Sequence, residues 1–110
     1  MEDCIFCKIA KKEIPSSIIY EDEYAVAFND LNPQAPTHIL VIPKKHFASL
    51  NDLDDEKTMS ALFKAVKNVT TKMNINEYRT VINTGETAGQ TVFHLHIHIL
   101  AGRPLKWPPG

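Results

Sequence analysis

Between Gln90 and Leu100 the chain alternates strictly, with His94, His96 and His98 at every second position and Phe93, Leu95, Ile97 and Ile99 between them. Period-two alternation marks a half-buried strand, because successive side chains project from opposite faces. The apolar set needs one face to bury, and a slip of one residue would turn all of it to solvent. The pattern therefore predicts a strand over Val92 to Leu100 whose three imidazoles line one surface and point into a cleft or solvent. Successive rings would lie roughly 6.5 to 7 Å apart, near enough for two to engage one small anionic group or one metal ion. Three of the chain's five histidines fall in this segment, a concentration that scattered surface histidines do not explain. Two chemistries fit. Three imidazoles could hold a catalytic metal with an open position for water, or a nucleophilic or acid–base histidine could stand between two helpers.

The residues upstream favour the second. Val81-Ile82-Asn83-Thr84-Gly85-Glu86-Thr87-Ala88-Gly89-Gln90-Thr91 runs from a strand-like stretch through a glycine-containing loop into the histidine segment. Gly85 and Gly89 permit the dihedrals of an anion-binding nest, and Asn83, Gln90 and Thr91 add neutral hydrogen-bonding groups beside the imidazoles. That surrounding suits a phosphate better than a bare metal.

The rest of the chain reads as one α+β domain. Cys4 to Lys12 is a short helix ended by Ile14-Pro15; Ser17 to Glu21 and Tyr24 to Asn29 are strands joined by a tight acidic turn. A loop with two prolines, Leu31 to Pro36, precedes a β-branched strand from His38 to Ile42. From Asp54 to Met73 runs the one long helix, with Met59, Leu62, Phe63, Val66, Val69 and Met73 as its core stripe and Asp54, Asp55 and Glu56 at its positive end. Tyr78 to Asn83 and the histidine strand complete a mainly antiparallel sheet of about five strands. With 44% hydrophobic residues, no long apolar run, a net charge of −1 and no basic cluster larger than Lys44-Lys45, the chain is expected to be a cytoplasmic enzyme without membrane or nucleic-acid partners.

Cys4-x-x-Cys7 forms a second constellation. Two cysteines at this spacing with distant histidines are a recurrent zinc arrangement in reducing compartments, where structural disulfides are rare. A redox pair would be expected beside a βαβ pattern, which this N-terminus lacks, and two ordinary thiols are the remaining alternative.

The segment His94-Leu95-His96-Ile97-His98-Ile99-Leu100 resembles the histidine triad signature of the HIT nucleotide hydrolases and transferases. Cys4-Ile5-Phe6-Cys7-Lys8-Ile9, Phe28-Asn29-Asp30, the run from Pro36 to His46, Asn83-Thr84-Gly85, Gly89-Gln90-Thr91 and Trp107-Pro108-Pro109-Gly110 resemble the Hint branch, so the similarity covers essentially the whole chain. A histidine at the third triad position separates the chain from the galactose-1-phosphate uridylyltransferase branch, which carries glutamine there. The Trp-Pro-Pro-Gly ending favours Hint over the dinucleoside polyphosphate hydrolases.

This resemblance implies a single HIT domain over residues 1–110, a HIT-like fold in a homodimer, and hydrolysis of purine nucleoside 5′-phosphoramidates, an AMP-like class. His96 would be the nucleophile, forming a covalent nucleotidyl-histidine, while His98, Gln90, Thr91 and N–H groups of the loop around Asn83 and Gly89 hold the phosphoryl oxygens. His38 would adjoin the triad. Phe6, Ile14, Phe28, Asn29 and Leu31 would line the base and sugar pocket, although Phe6, Ile14 and Phe28 alone read as ordinary core. Asp30 would take the ribose hydroxyls. Structural zinc would be held by Cys4, Cys7, His46 and His94, which gives His94 a supporting role, and Trp107 would reach the other subunit's active site. Dinucleoside polyphosphate hydrolysis and nucleotide sensing or scaffolding are the alternatives.

Overall fold

A computed structural model describes residues 3–110. Its elements follow in the order α1 (Ile5–Ala10), β1 (Ile18–Glu21), β2 (Ala25–Asn29), β3 (Thr37–Pro43), α2 (Glu56–Lys72), β4 (Arg79–Val81) and β5 (Ile97–Ala101), with a 3₁₀ turn at Leu50–Asp52. The strands form one antiparallel sheet ordered β1-β2-β3-β5-β4. This is the α+β architecture implied by the sequence, a five-stranded sheet with one long and one short helix. Among the described residues no helix is long and apolar enough to cross a membrane.

Side-chain alternation sorts the sheet into two faces. Ala25 and Ala27 of β2, Ile39 and Val41 of β3, and Ile97 and Ile99 of β5 pack with Leu62, Ala65, Val66 and Val69 of α2. The intervening residues Val26, Phe28, Leu40 and Ile42 form a second cluster with Phe6 and Ile9 of α1. His38 and His98 belong by the same alternation to the α1 face. The functional groups thus share a face with the short helix.

The long helix sits on the sheet with a different arc from the one expected. Leu62, Val66 and Val69 are buried with Thr58, Ala61, Ala65 and Thr70, whereas Met59, Phe63 and Met73 are exposed. Small residues lie on both sides of this contact, Ala25 and Ala27 below and Ala61 and Ala65 above, so the helix turns its larger outer side chains away. The two buried threonines are satisfied locally: Thr58 donates to Asp55 at 2.7 Å and Thr70 to the Val66 carbonyl at 3.0 Å. Asp55 also caps the helix, accepting from the Lys57 N–H, which starts α2 at Glu56 rather than Asp54.

The histidine strand is shorter than the alternation predicts. β5 begins at Ile97, so His98 lies in the ladder while His94 and His96 precede it. Pro43 ends β3 and has no N–H with which to extend the pairing. The Leu95 N–H turns instead to the Phe47 carbonyl at 2.7 Å. Phe93 is accordingly half-exposed rather than buried with Leu95, Ile97 and Ile99.

Candidate active site and metal centre

His96 is held by its own chain. Its Nδ1 lies 2.8 Å from the His94 carbonyl oxygen; a carbonyl only accepts, so Nδ1 carries the proton and Nε2 keeps its lone pair. Nε2 has no protein hydrogen-bond partner among the described residues. Phe6 stands edge-on to the ring, with centroids 5.2 Å apart, and also packs on Phe28 at 5.5 Å. The His98 ring lies 4.9 Å away on the other side. An imidazole with one nitrogen tethered to a carbonyl and the other without a protein partner has that second nitrogen available to a ligand.

His98 is oriented by a chain of donors. The Gln34 N–H donates to His38 Nδ1 at 3.0 Å, which puts the His38 proton on Nε2. His38 Nε2 lies 2.9 Å from His98 Nδ1 and 3.3 Å from an Asp30 carboxylate oxygen. When it donates to His98, the remaining His98 proton sits on Nε2, a buried nitrogen with no hydrogen-bond partner. Burial pulls the His98 pKa down to about 4, helped by His96 and His38 and opposed by Asp30. Burial also lowers His38, again against Asp30. Both rings are therefore neutral at neutral pH, and the unpartnered Nε2–H is a donor awaiting an acceptor.

On the other side of His96 lies a cluster of different chemistry. Cys4 Sγ and Cys7 Sγ approach His94 Nδ1 at 3.3 and 3.5 Å, and Cys7 Sγ approaches His46 Nδ1 at 3.3 Å. All four donor atoms lie within 4.8 Å of one another. Tetrahedral zinc with ordinary Zn–S and Zn–N bonds places sulfur and nitrogen about 3.5 Å apart, so the set fits that ion. His94 Nε2 donates to the Pro43 carbonyl at 2.9 Å, which leaves Nδ1 unprotonated as a ligand must be. Burial drops the His94 pKa to about 4 and, with Cys4 beside it, pushes the Cys7 thiol up; a cation at the centre would reverse the latter. Cys4 Sγ also accepts the Cys7 N–H at 3.3 Å, so the Cys-x-x-Cys turn is itself the start of α1. His94 is fully buried rather than facing a cleft.

The glycine loop is built otherwise than expected. Gly85 and Gly89 do take positive φ, 89° and 100°. However, the Gly85 N–H donates to Gln90 Oε1, the Gly89 N–H to the Glu86 carbonyl and the Gln90 N–H to the Gly85 carbonyl. Gln90 Nε2 donates to the Ala48 and Val92 carbonyls at 2.7 and 3.1 Å. The buried Gln90 amide is thus a brace inside the protein, with no group left over for a phosphate. Thr91 is exposed at the loop's end and Asn83 packs beside Gly89.

Other expected pocket residues divide into two groups. Phe6 and Phe28 are buried in the α1-side core, with Ile14 packed against it, as their reading as ordinary core expects. Asn29 reaches Ser17 Oγ at 2.9 Å, and Asp30 accepts the Asn32 N–H at 2.8 Å beside its contact with His38. Leu31 is 93% exposed and Trp107 81% exposed, so neither docks within its own chain. A cleft of about 880 Å³ between β4 and the C-terminal segment is lined by Tyr78, Arg79, Leu100 and Arg103 and by no histidine or cysteine. Sequence reasoning missed the backbone partners of the site, the Gln34 N–H and the Pro43, Phe47 and Ala48 groups, since residue identity carries no signal for them.

Residues 11–105 match the HIT domain family. The chain belongs to that family. Its fold is that of the HIT family hydrolase from Legionella pneumophila, which superposes with a TM-score of 0.93 at 44% identity over 98% of this chain and 100% of the other. A histidine triad protein from Clostridium difficile is similar, with a TM-score of 0.90 at 48% identity over 96% of each chain. In sequence, this HIT chain is 46% identical to the 14 kDa zinc-binding protein of Zea mays over 96% of its own length and 87% of the relative's. It is 52% identical to an uncharacterized HIT-like protein of Synechococcus elongatus over 99% and 98%.

Proposed function

We propose that this protein hydrolyses purine nucleoside 5′-phosphoramidates through a covalent intermediate on His96. The observation that carries this reading is the pairing of two oppositely prepared nitrogens, His96 Nε2 with a free lone pair and His98 Nε2–H with a free proton. In the first step the His96 lone pair attacks the α-phosphorus while the His98 Nε2–H donates to a phosphoryl oxygen, the P–N bond breaks, and the departing amine takes a proton from solvent. In the second, water attacks phosphorus and loses a proton to solvent, and the P–N bond to His96 breaks to release the nucleoside monophosphate. Positioning and charge stabilisation are the main contributions asked of the site.

Phe6, Phe28 and Ile14 supply the flat apolar wall that a purine requires, and Asp30, beside His38, takes the ribose hydroxyls together with Asn29. Cys4, Cys7, His46 and His94 would hold zinc, which supplies a fixed cross-link at the base of the site. The zinc-binding name of the maize relative supports that assignment. A two-fold homodimer in which the tail of one subunit borders the other's site would cover the exposed Leu31 and Trp107 side chains.

The test is turnover of adenosine 5′-phosphoramidate against a dinucleoside polyphosphate under identical conditions, with mass spectrometry of the quenched enzyme. Preferred cleavage of the phosphoramidate with a nucleotidyl adduct on His96 is expected. Preference for the polyphosphate, or an adduct elsewhere, overturns the reading.

A further inference from the structure

We propose that Cys4, Cys7 and His46 are positioning residues for His96, acting through the His94–Leu95 peptide. The connection is short and made of named bonds. His94 belongs to the metal cluster through Nδ1, and its carbonyl holds the His96 Nδ1–H at 2.8 Å. The N–H of the same peptide, on Leu95, donates to Phe47 at 2.7 Å. Phe47 directly follows His46, another member of the cluster. His46-Phe47 and His94-Leu95 are therefore stapled twice, at the cluster donors and one residue further on. The Gln90 amide stitches the same two segments again through Ala48.

The other two donors reach His96 by a second route. Phe6 lies between Cys4 and Cys7 in a helix of six residues, and its ring stands 5.2 Å from His96 and 6.0 Å from His94. Helices this short have little stability of their own, so what anchors α1 anchors the wall of the nucleophile. With the cluster loaded, the carbonyl that selects the His96 tautomer and the ring beside it share one rigid support. With it empty, two thiols face a buried imidazole nitrogen, and Cys4 and Cys7 meet His46 and His94 only through weak sulfur contacts beside the packing of Phe6. The His96 ring then samples both tautomers, and only one exposes a lone pair at Nε2.

This rests on the reading of His96 as nucleophile, and the experiment separates the two. Full-length protein with isotope-labelled histidine is compared by nitrogen–proton correlation NMR in the zinc-loaded and chelated forms, below the melting temperature of both. The loaded form should show His96 as a single Nδ1–H tautomer, and the chelated form a mixture. On adenosine 5′-phosphoramidate, kcat should fall about tenfold on chelation while KM changes less than about twofold. Restoring zinc should restore both signals. Should chelation unfold the chain, Cys4→Ala in zinc-saturated buffer, which keeps three ligands, provides the comparison and the same outcomes apply. An unchanged His96 tautomer beside a lowered melting temperature would overturn the proposal and leave the cluster as a remote staple. If loaded wild-type protein cleaves no phosphoramidate, the functional reading fails, while the tautomer measurement still decides the coupling.

Discussion

His94 and His98 flank the same imidazole and lie in clusters of similar make-up, yet the two clusters are prepared for different occupants. Around His94, four donor atoms converge with their lone pairs inward, and the one ring proton settled by geometry points away to Pro43. Around His98, nitrogens pair in a line, each donating a hydrogen bond to the next from Gln34 through His38, with Asp30 at the side. The first arrangement suits a cation and the second turns an N–H toward an anion. The difference arises from what points at each ring: thiols beside a second imidazole in one case, and in the other an imidazole, His38, that is itself fixed by the Gln34 N–H and the Asp30 carboxylate. Histidine content alone does not distinguish a metal centre from an acid–base site; the direction of each ring's proton does.

The sharpest way to break this comparison is to remove the residue between its halves. His96→Ala should lower turnover by several powers of ten while nucleotide affinity changes little, measured by steady-state kinetics and calorimetry; near-normal turnover would end the nucleophile assignment. On the donor side, His98→Ala should reduce kcat by roughly 10²- to 10³-fold, and the loss should be similar for leaving groups that do and do not need a proton. A loss confined to leaving groups that need a proton would replace the phosphoryl-oxygen contact with an acid role.

On the cation side, Cys4→Ser should lower metal content from about one zinc per chain and reduce the melting temperature by ~5 °C or more, as read by elemental analysis and calorimetry. A smaller effect concerns pH. Because the folded His98 pKa is depressed from 6.5 to about 4 by burial, the unfolded chain binds a proton first on acidification. Its contribution to stability is complete above pH 6.5 and is lost as pH falls toward about 4. The urea midpoint of metal-loaded protein should drop across that window, and His98→Gln should flatten the slope. The smallest effect lies outside both clusters. Deleting residues 103–110, which include Trp107, should shift preference among leaving amines a few-fold and spare the His96 adduct; identical kcat/KM across an amine series would refute a role for the tail.

Much of this was legible in the residues. The alternation at 93–99 marked a one-sided element with imidazoles opposite the apolar set, and Leu95, Ile97 and Ile99 do lie in the core beneath α2. Cys4-x-x-Cys7 pointed to a metal, and its two sulfurs do meet His46 and His94. The extent of the strand was not legible, because it ends where Pro43 leaves no N–H to pair. Nor was the orientation of α2, because the alanines at the sheet contact carry little weight in an apolar stripe. Gln90 shows the limit most clearly. Its chemistry fits a phosphate contact and a loop brace equally, and three backbone groups, two nearby at Gly85 and Val92 and one distant in sequence at Ala48, decide for the brace.

The sequence by itself determined the class of fold, the face on which the histidines lie, and the inventory of imidazoles and soft ligands, since periodicity and side-chain chemistry are local properties. Only the tertiary structure decided which nitrogen of each histidine holds its proton. That depends on a hydrogen-bond partner from another segment, a carbonyl at His94 or Pro43 and an N–H at Gln34, and every residue type but proline carries the same backbone groups, so their placement is a property of the folded chain alone.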